Sequence, residues 1–196
     1  MPDILEPLAA KRVKLVGFDV DGILTDNAVY VGSVDGRRVE FKRFDIADGI
    51  GLKLLRAAGV TVTLLSGRAS QATTFRAEEL GIDEVIQDDG ARKLAPFDAM
   101  LARHGVRWED AAFMGDDLPD LPVMRRVGLP VTVPAAAPEV RDVAHYVTRA
   151  TGGAGAAREF IEVLLRARGD WDGLVQDYLA QRGDHAARRS AVHHAP

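Results

Sequence analysis

Four times along the chain a segment of helical period ends in a glycine, and a short strand-like run follows. The glycines are Gly59, Gly81, Gly105 and Gly128, each where a left-handed helix cap is expected. Short strands alternating with longer helices specify a parallel sheet covered on both faces. The strands expected are Val13 to Phe18, Val60 to Leu65, Glu84 to Ile86, Ala111 to Met114, Leu129 to Val133 and His145 to Val147. The helices expected are Gly49 to Ala58, Ser70 to Leu80, Leu94 to His104, Leu118 to Val127 and Ala156 to Ala167. The fold class is α/β, a Rossmann-like, doubly wound parallel sheet. With 196 residues, 47% of them hydrophobic, there is apolar material for one core. A single domain is expected over 1–182.

Residues Ala28 to Phe44 break the alternation. They read as two strands around Asp35-Gly36, a favoured pair for a tight hairpin turn. An isolated two-stranded ribbon is marginal in water, so Val29, Val31, Val39 and Phe41 need a surface to cover them. Either they lie on their own domain or the ribbon pairs with its counterpart in another subunit.

Composition removes several classes of function. There is no cysteine, which excludes disulfides, thiol nucleophiles and zinc–thiolate sites. Lys plus Arg total 25 against 29 acidic residues, a formal charge of -4, and no basic stripe favours nucleic acid. No apolar stretch approaches the roughly 20 residues of a membrane span, and Met1 to Glu6 lack the pattern of a signal peptide. A cytoplasmic protein without nucleic-acid or membrane partners is expected. The tail Gly183 to Pro196 reads as a frayed terminus. Its His185, His193 and His194 offer metal binding as an alternative.

The polar chemistry gathers where strands end, which is where open α/β sheets bind ligands. The first strand runs into Asp19-Val20-Asp21-Gly22-Ile23-Leu24-Thr25-Asp26. Two carboxylates so placed repel unless a cation or protons offset them, although a solvated acidic turn is the plainer alternative. The second strand ends Ser66-Gly67-Arg68, a hydroxyl, backbone N–H groups and a guanidinium that suit one anion, although Ser-Gly is also a common turn. Lys93 opens the next helix, where the helix dipole disfavours a cation. The fourth strand runs into Gly115-Asp116-Asp117-Leu118-Pro119-Asp120. One Mg²⁺, which prefers oxygen ligands, would relieve both acidic clusters. Asp117 and Asp120 can equally be helix caps.

An acidic pair, a Ser/Thr, a Lys and a second acidic pair, in that order at strand tips, resemble the haloacid dehalogenase superfamily. Within it, Gly115-Asp-Asp-Leu-Pro-Asp-Leu-Pro-Val-Met-Arg-Arg-Val-Gly128, Pro138-Glu-Val140, Tyr146-Val-Thr-Arg149 and Gly152-Gly-Ala-Gly-Ala-Ala-Arg158-Glu resemble the 3-deoxy-D-manno-octulosonate 8-phosphate phosphatase family. The similarity spans about residues 12 to 168. It implies a capless fold, a homotetramer assembled through the hairpin, and Mg²⁺-dependent hydrolysis of a phosphorylated sugar acid in lipopolysaccharide biosynthesis.

The resemblance also implies roles. Asp19 is the expected nucleophile, and Asp21 the acid and base. The Asp19 and Asp116 carboxylates with the Asp21 carbonyl are the expected metal ligands. Ser66, Gly67 and Lys93 hold the phosphoryl group, and Asp117 orients Lys93 or metal-bound water. Arg68 and Arg76 match anion-binding arginines of the family. The family's sugar-contacting loop reads Phe-Asn-x-Arg-Asp-Gly-x-Gly. Here it is Phe44-Asp45-Ile46-Ala47-Asp48-Gly49-Ile50-Gly51, with Lys53 where an arginine is usual. Asp45 for the amide and Ala47 for the arginine lower the local positive charge, which leaves a nine-carbon keto-acid 9-phosphate open as the substrate. A receiver-type signalling domain, which also uses an acidic cluster, Ser/Thr, Lys and Mg²⁺, is the non-enzymatic alternative.

Overall fold

The computed structural model describes residues 5–184. The expected histidine-bearing tail therefore lies almost wholly outside the described residues. Helix α1 (Pro7–Arg12) leads into β1 (Leu15–Phe18), then the ribbon β2 (Tyr30–Val34) and β3 (Arg37–Phe41). Next come α2 (Ile46–Ala57), β4 (Thr61–Ser66), α3 (Gln71–Leu80), β5 (Glu84–Gln87), α4 (Leu94–His104) and β6 (Ala111–Met114). The chain closes with α5 (Leu121–Met124), β7 (Leu129–Thr132), α6 (Pro138–Val143), β8 (Tyr146–Val147), α7 (Ala156–Arg168) and α8 (Trp171–Ala180).

Six strands form one parallel sheet in the order β5-β4-β1-β6-β7-β8. β1 is thus central, and the chain builds outwards from it, first to one side and then to the other. Its last residue, Phe18, stands beside Leu64 on one neighbour and Met114 on the other. That register brings the ends of β1, β4 and β6 to one rim at the switch of winding direction, where a crevice opens. Both faces are covered, and β1, β6 and β7 are buried along their length. Their hydrophobic runs follow from burial on both sides. Phe97 packs edge-on against Phe113, with ring centroids 5.3 Å apart.

Several boundaries differ from expectation. α2 begins at Ile46 rather than Gly49, because the Asp45 side chain accepts the Ala47 N–H at 2.7 Å and caps the helix there. The helix expected over Leu118 to Val127 is regular only across α5. α1, α6 and α8 were not anticipated. α1 and α6 are only six residues each, and α8 is held through Trp171, whose ring lies 5.0 and 5.1 Å from the Arg158 and Arg166 guanidinium carbons. Gly59, Gly81 and Gly105 have the left-handed backbone expected of caps, but Gly128 does not. A Cβ at Gly128 would sit 2.2 Å from the Glu109 carbonyl oxygen, so close backbone approach demands the glycine there.

The ribbon forms as expected, with Asp35 and Gly36 both at positive φ (51° and 74°) in its turn. Of its two strands, β3 lies near its own domain, beside the start of α3. Val29, Tyr30, Val31, Val34 and Phe41 remain exposed, and Val39 is half-buried. The ribbon is fastened at its root, where Thr25 bridges Phe44 and Arg68 of the β4–α3 loop pairs with Glu40.

Candidate active site

β1 delivers Asp19 to the rim, its N–H donating to the Met114 carbonyl of β6 at 2.9 Å. Beyond it the backbone folds back, with Leu24 and Thr25 N–H both donating to the Val20 carbonyl. Gly22 turns the chain at φ 96°, and a Cβ there would lie 2.0 Å from Asp116 Oδ2. Only glycine lets the Asp19–Asp21 turn pass this close to the tip of β6. From that tip come Asp116 and Asp120, buried like Asp19. Lys93, entering α4 after β5, reaches the same point.

The Lys93 ammonium bonds Asp19 and, at 2.6 Å, Asp120 Oδ1. Asp120 Oδ2 accepts the Asp116 and Asp117 N–H groups at 3.0 and 3.2 Å. Asp120 therefore ties the lysine to the loop that presents Asp116. Burial, then the neighbouring Asp120 charge, pushes Asp19 well above the usual carboxylate range. The same causes raise Asp116 to about 7. Burial works against the Lys93 charge, yet Asp19 and Asp120 outweigh it and hold the ammonium above its ordinary value.

With all three carboxylates ionised, the one ammonium leaves a buried excess of two negative charges, the same repulsion that, after burial, raises Asp19 and Asp116. Oxygens of Asp19, Asp116 and Asp120 lie within 4.8 Å of one another. A hard, all-oxygen donor set with that charge excess fits one divalent cation such as Mg²⁺.

Asp19, Asp21, Asp116, Lys93, Gly67, Arg68 and Asp117 all line one cavity of about 190 Å³. That is below the roughly 300–1,000 Å³ of pockets that enclose a small-molecule ligand. It has room for a compact anion, while a longer ligand must extend past the rim. Ser66 is buried beside it, its hydroxyl donating to the Arg68 carbonyl and accepting the Arg68 N–H.

The other expected ligand-binding residues do not line this cavity. Asp45 caps α2, and Ile46 and Ala47 are exposed beside it. Asp48 is buried and accepts the Arg158 N–H at 2.7 Å at the start of α7; burial raises its carboxyl to about 6. Gly49 packs under Arg76, whose guanidinium pairs with Glu79 at 2.7 Å and lies over the Phe44 ring. Lys53 is exposed on α2.

One of the two roles open to Asp117 falls to its neighbour, and of the two open to Asp120 the site role prevails over the cap. Asp120, not Asp117, orients Lys93, while Asp117 Oδ1 accepts the Leu118 N–H. Asp120 does occupy the N-cap position of α5, but its side chain makes no cap bond and turns back to the preceding loop. Two residues were missed. Asn27, at φ 61°, lines the cavity, and the Lys42 ammonium holds both Asp21 oxygens at 2.7 and 2.9 Å. An Asn in a turn after the acidic motif was a readable hint for the first. Lys42 carried no signal among the basic residues of the ribbon.

A family model described as haloacid dehalogenase-like hydrolase matches residues 85–160. The 3-deoxy-D-manno-octulosonate 8-phosphate phosphatase KdsC of Escherichia coli (strain K12) is 38% identical over 163 residues, 83% of this chain and 85% of that protein. The crystal structure of the 3-deoxy-D-manno-octulosonate 8-phosphate phosphatase from Moraxella catarrhalis, in complex with magnesium ion, phosphate ion and KDO, superposes with a TM-score of 0.82 at 36% identity. The match covers 88% of this chain and 97% of that one. A probable yrbi family phosphatase from Pseudomonas syringae pv. phaseolica reaches 46% identity and the same TM-score of 0.82, covering 88% of this chain and 96% of that one.

Proposed function

The chain belongs to the 3-deoxy-D-manno-octulosonate 8-phosphate phosphatase family of haloacid dehalogenase-like hydrolases, and from that membership we propose that it hydrolyses 3-deoxy-D-manno-octulosonate 8-phosphate to the free sugar acid and phosphate, with Mg²⁺. The observation that carries the reading is the meeting of Asp19, Asp116 and Lys93 in one buried, anion-sized cavity. A signalling domain that keeps its phosphoryl group is disfavoured by relatives that are named phosphatases over most of the chain.

Asp19, Asp116 and the Asp21 carbonyl would hold the metal, with Asp120 adjoining. When bound, Mg²⁺ screens the charge of the phosphoryl oxygens so that an anionic nucleophile can approach. An Asp19 carboxylate oxygen attacks phosphorus, and the bond from phosphorus to the sugar oxygen breaks. The departing alkoxide takes a proton from the Asp21 carboxyl. The aspartyl-phosphate on Asp19 is then attacked by water, whose proton returns to Asp21. Phosphate leaves and the Asp19 carboxylate is restored. Lys93 carries positive charge to the phosphoryl oxygens and the Gly67 N–H holds them as charge shifts, joined by the Ser66 hydroxyl once it turns from the Arg68 carbonyl.

The sugar acid projects from the cavity past Arg68. Asp45, Ile46, Ala47, Asp48, Gly49, Lys53 and Arg76 lie outside the cavity of one subunit. A role for the exposed members of this set in sugar binding is consistent with a site completed by a neighbouring copy. The exposed apolar ribbon supports a subunit contact through it, which this reading takes as that of a homotetramer acting in lipopolysaccharide biosynthesis in the cytoplasm.

Side-by-side turnover of the eight-carbon 8-phosphate and a nine-carbon keto-acid 9-phosphate, with Mg²⁺, tests the reading. Preference for the eight-carbon ester is expected, and preference for the nine-carbon one would replace the substrate. Asp19→Asn is expected to abolish both turnover and trapping of the aspartyl-phosphate. Residual activity near wild type would remove Asp19 as the nucleophile.

A further inference from the structure

We propose that Lys42, at the root of the ribbon, is a positioning residue that aims the Asp21 carboxyl at the oxygen leaving phosphorus. The inference rests on the phosphatase reading and adds to it a group outside the residues expected to touch metal or substrate.

Asp21 stands at the mouth of a cavity whose interior holds three other carboxylates. Its own side chain is 20% exposed. Free to rotate about two bonds and repelled by that interior, it would turn towards water. Lys42 prevents this. Its side chain is 1% exposed, and its ammonium contacts both Asp21 oxygens at 2.7 and 2.9 Å. Such charge-assisted bonds are short and directional. One oxygen can stay on Lys42 while the other meets the leaving oxygen or the attacking water.

The lysine is itself held from both sides along the chain. Two residues before it, Glu40 accepts from Arg68 at 2.9 Å, and two residues after it Phe44 bridges Thr25. Ordering a long lysine side chain out of water costs conformational and solvation free energy. A buried pair seldom repays that in stability alone, so its value lies in where it puts the acid.

General acid catalysis matters most when the leaving group is a strong base. A sugar alkoxide needs a proton, whereas p-nitrophenolate leaves with little help. The test compares 3-deoxy-D-manno-octulosonate 8-phosphate with p-nitrophenyl phosphate in the Mg²⁺-loaded full-length enzyme. Lys42→Met, which keeps the volume and removes the charge, is expected to lower kcat for the sugar ester about 10–100-fold, the usual cost of losing an orienting partner. KM should stay within about twofold, and p-nitrophenyl phosphate turnover within about threefold. Lys42→Arg should recover most of the loss. Lys42→Gln serves as the second uncharged variant if the methionine form does not fold.

The Mg²⁺-induced rise in melting temperature should match wild type in every variant. Equal losses on both esters, a rise in KM alone, a changed Mg²⁺ response or full activity of the uncharged variants would each overturn the proposal. Wild-type enzyme that cleaves p-nitrophenyl phosphate but not the sugar ester would instead refute the substrate reading. The leaving-group comparison would then be made with other alkyl phosphates.

Discussion

Asp120 accepts the Lys93 ammonium at 2.6 Å on one oxygen, while its other oxygen takes the N–H groups of Asp116 and Asp117. One carboxylate thus couples the cation at the start of α4 to the loop after β6. Partners that orient a site's ligands commonly cost about 10–100-fold when removed. Asp120→Ala is expected to lower kcat by that factor at saturating Mg²⁺. Asp117→Ala, which removes a side chain bonded, among the described residues, only to the Leu118 N–H, should stay within about threefold. Steady-state kinetics on both variants decide which aspartate supports Lys93.

Mg²⁺ should stabilise the protein by relieving the charge excess around Asp19, Asp116 and Asp120. At one hundred times its Kd a ligand adds about 2.7 kcal/mol, or roughly 5–10 °C for a chain of this size. Asp116→Asn should lose most of that rise in a thermal melt with and without the metal. An undiminished rise would take Asp116 out of the metal site.

Gly22→Ala tests the close approach of the two strand tips. The new methyl would meet Asp116 at a separation no real contact allows, and positive φ adds strain. The expected result is a folded protein, by far-ultraviolet circular dichroism, whose melting temperature no longer responds to Mg²⁺. A normal response would mean that the turn can shift without disturbing Asp116.

Asp48 predicts a pH effect on folding away from the cavity. Its carboxyl is raised by burial to about 6 from an ordinary 3.8, so the folded state holds its proton more tightly than the unfolded chain does. The stability this contributes, roughly 3 kcal/mol, is complete below about pH 3.8 and is lost as pH rises through about 6. Asp48→Asn keeps an oxygen for the Arg158 N–H and cannot ionise. Its melting temperature relative to wild type should therefore climb between pH 4 and pH 7. A constant difference would show that Asp48 does not titrate in this range.

The ribbon predicts an assembly effect. Replacing Val31 and Phe41 with Asp places charge on each of its two exposed faces, and desolvating an unpaired charge in an interface is costly. Light scattering should report a smaller mass than for wild type. An unchanged mass would exclude the ribbon as the subunit contact.

The sheet was readable because its signals are local. A glycine-ended helix followed by a strand-like run marks each return, and the acidic and hydroxyl motifs follow their strands directly, with Lys93 six residues past β5. The short helices α1 and α6 escaped because few turns leave too little periodicity to register, whereas α8 is as long as α3. Pro138, at the first position of α6, was a usable start signal. Gly128 was assigned to a cap on spacing alone, whereas its purpose is contact with a backbone nineteen residues earlier.

From its residues alone the chain determined the fold class, the hairpin with its Asp35-Gly36 turn, and the set of strand-tip groups able to handle phosphate and a hard cation. Those depend on neighbours in the chain and on the charge and shape of each side chain. Tertiary structure alone decided that Asp120 rather than Asp117 faces Lys93, that Asp48 caps a helix 110 residues away, and that Lys42 grips Asp21. Each of these is a contact between segments distant in sequence. Its partner is selected by strand register and turn geometry, which bring particular atoms within hydrogen-bond reach and leave chemically identical neighbours outside it.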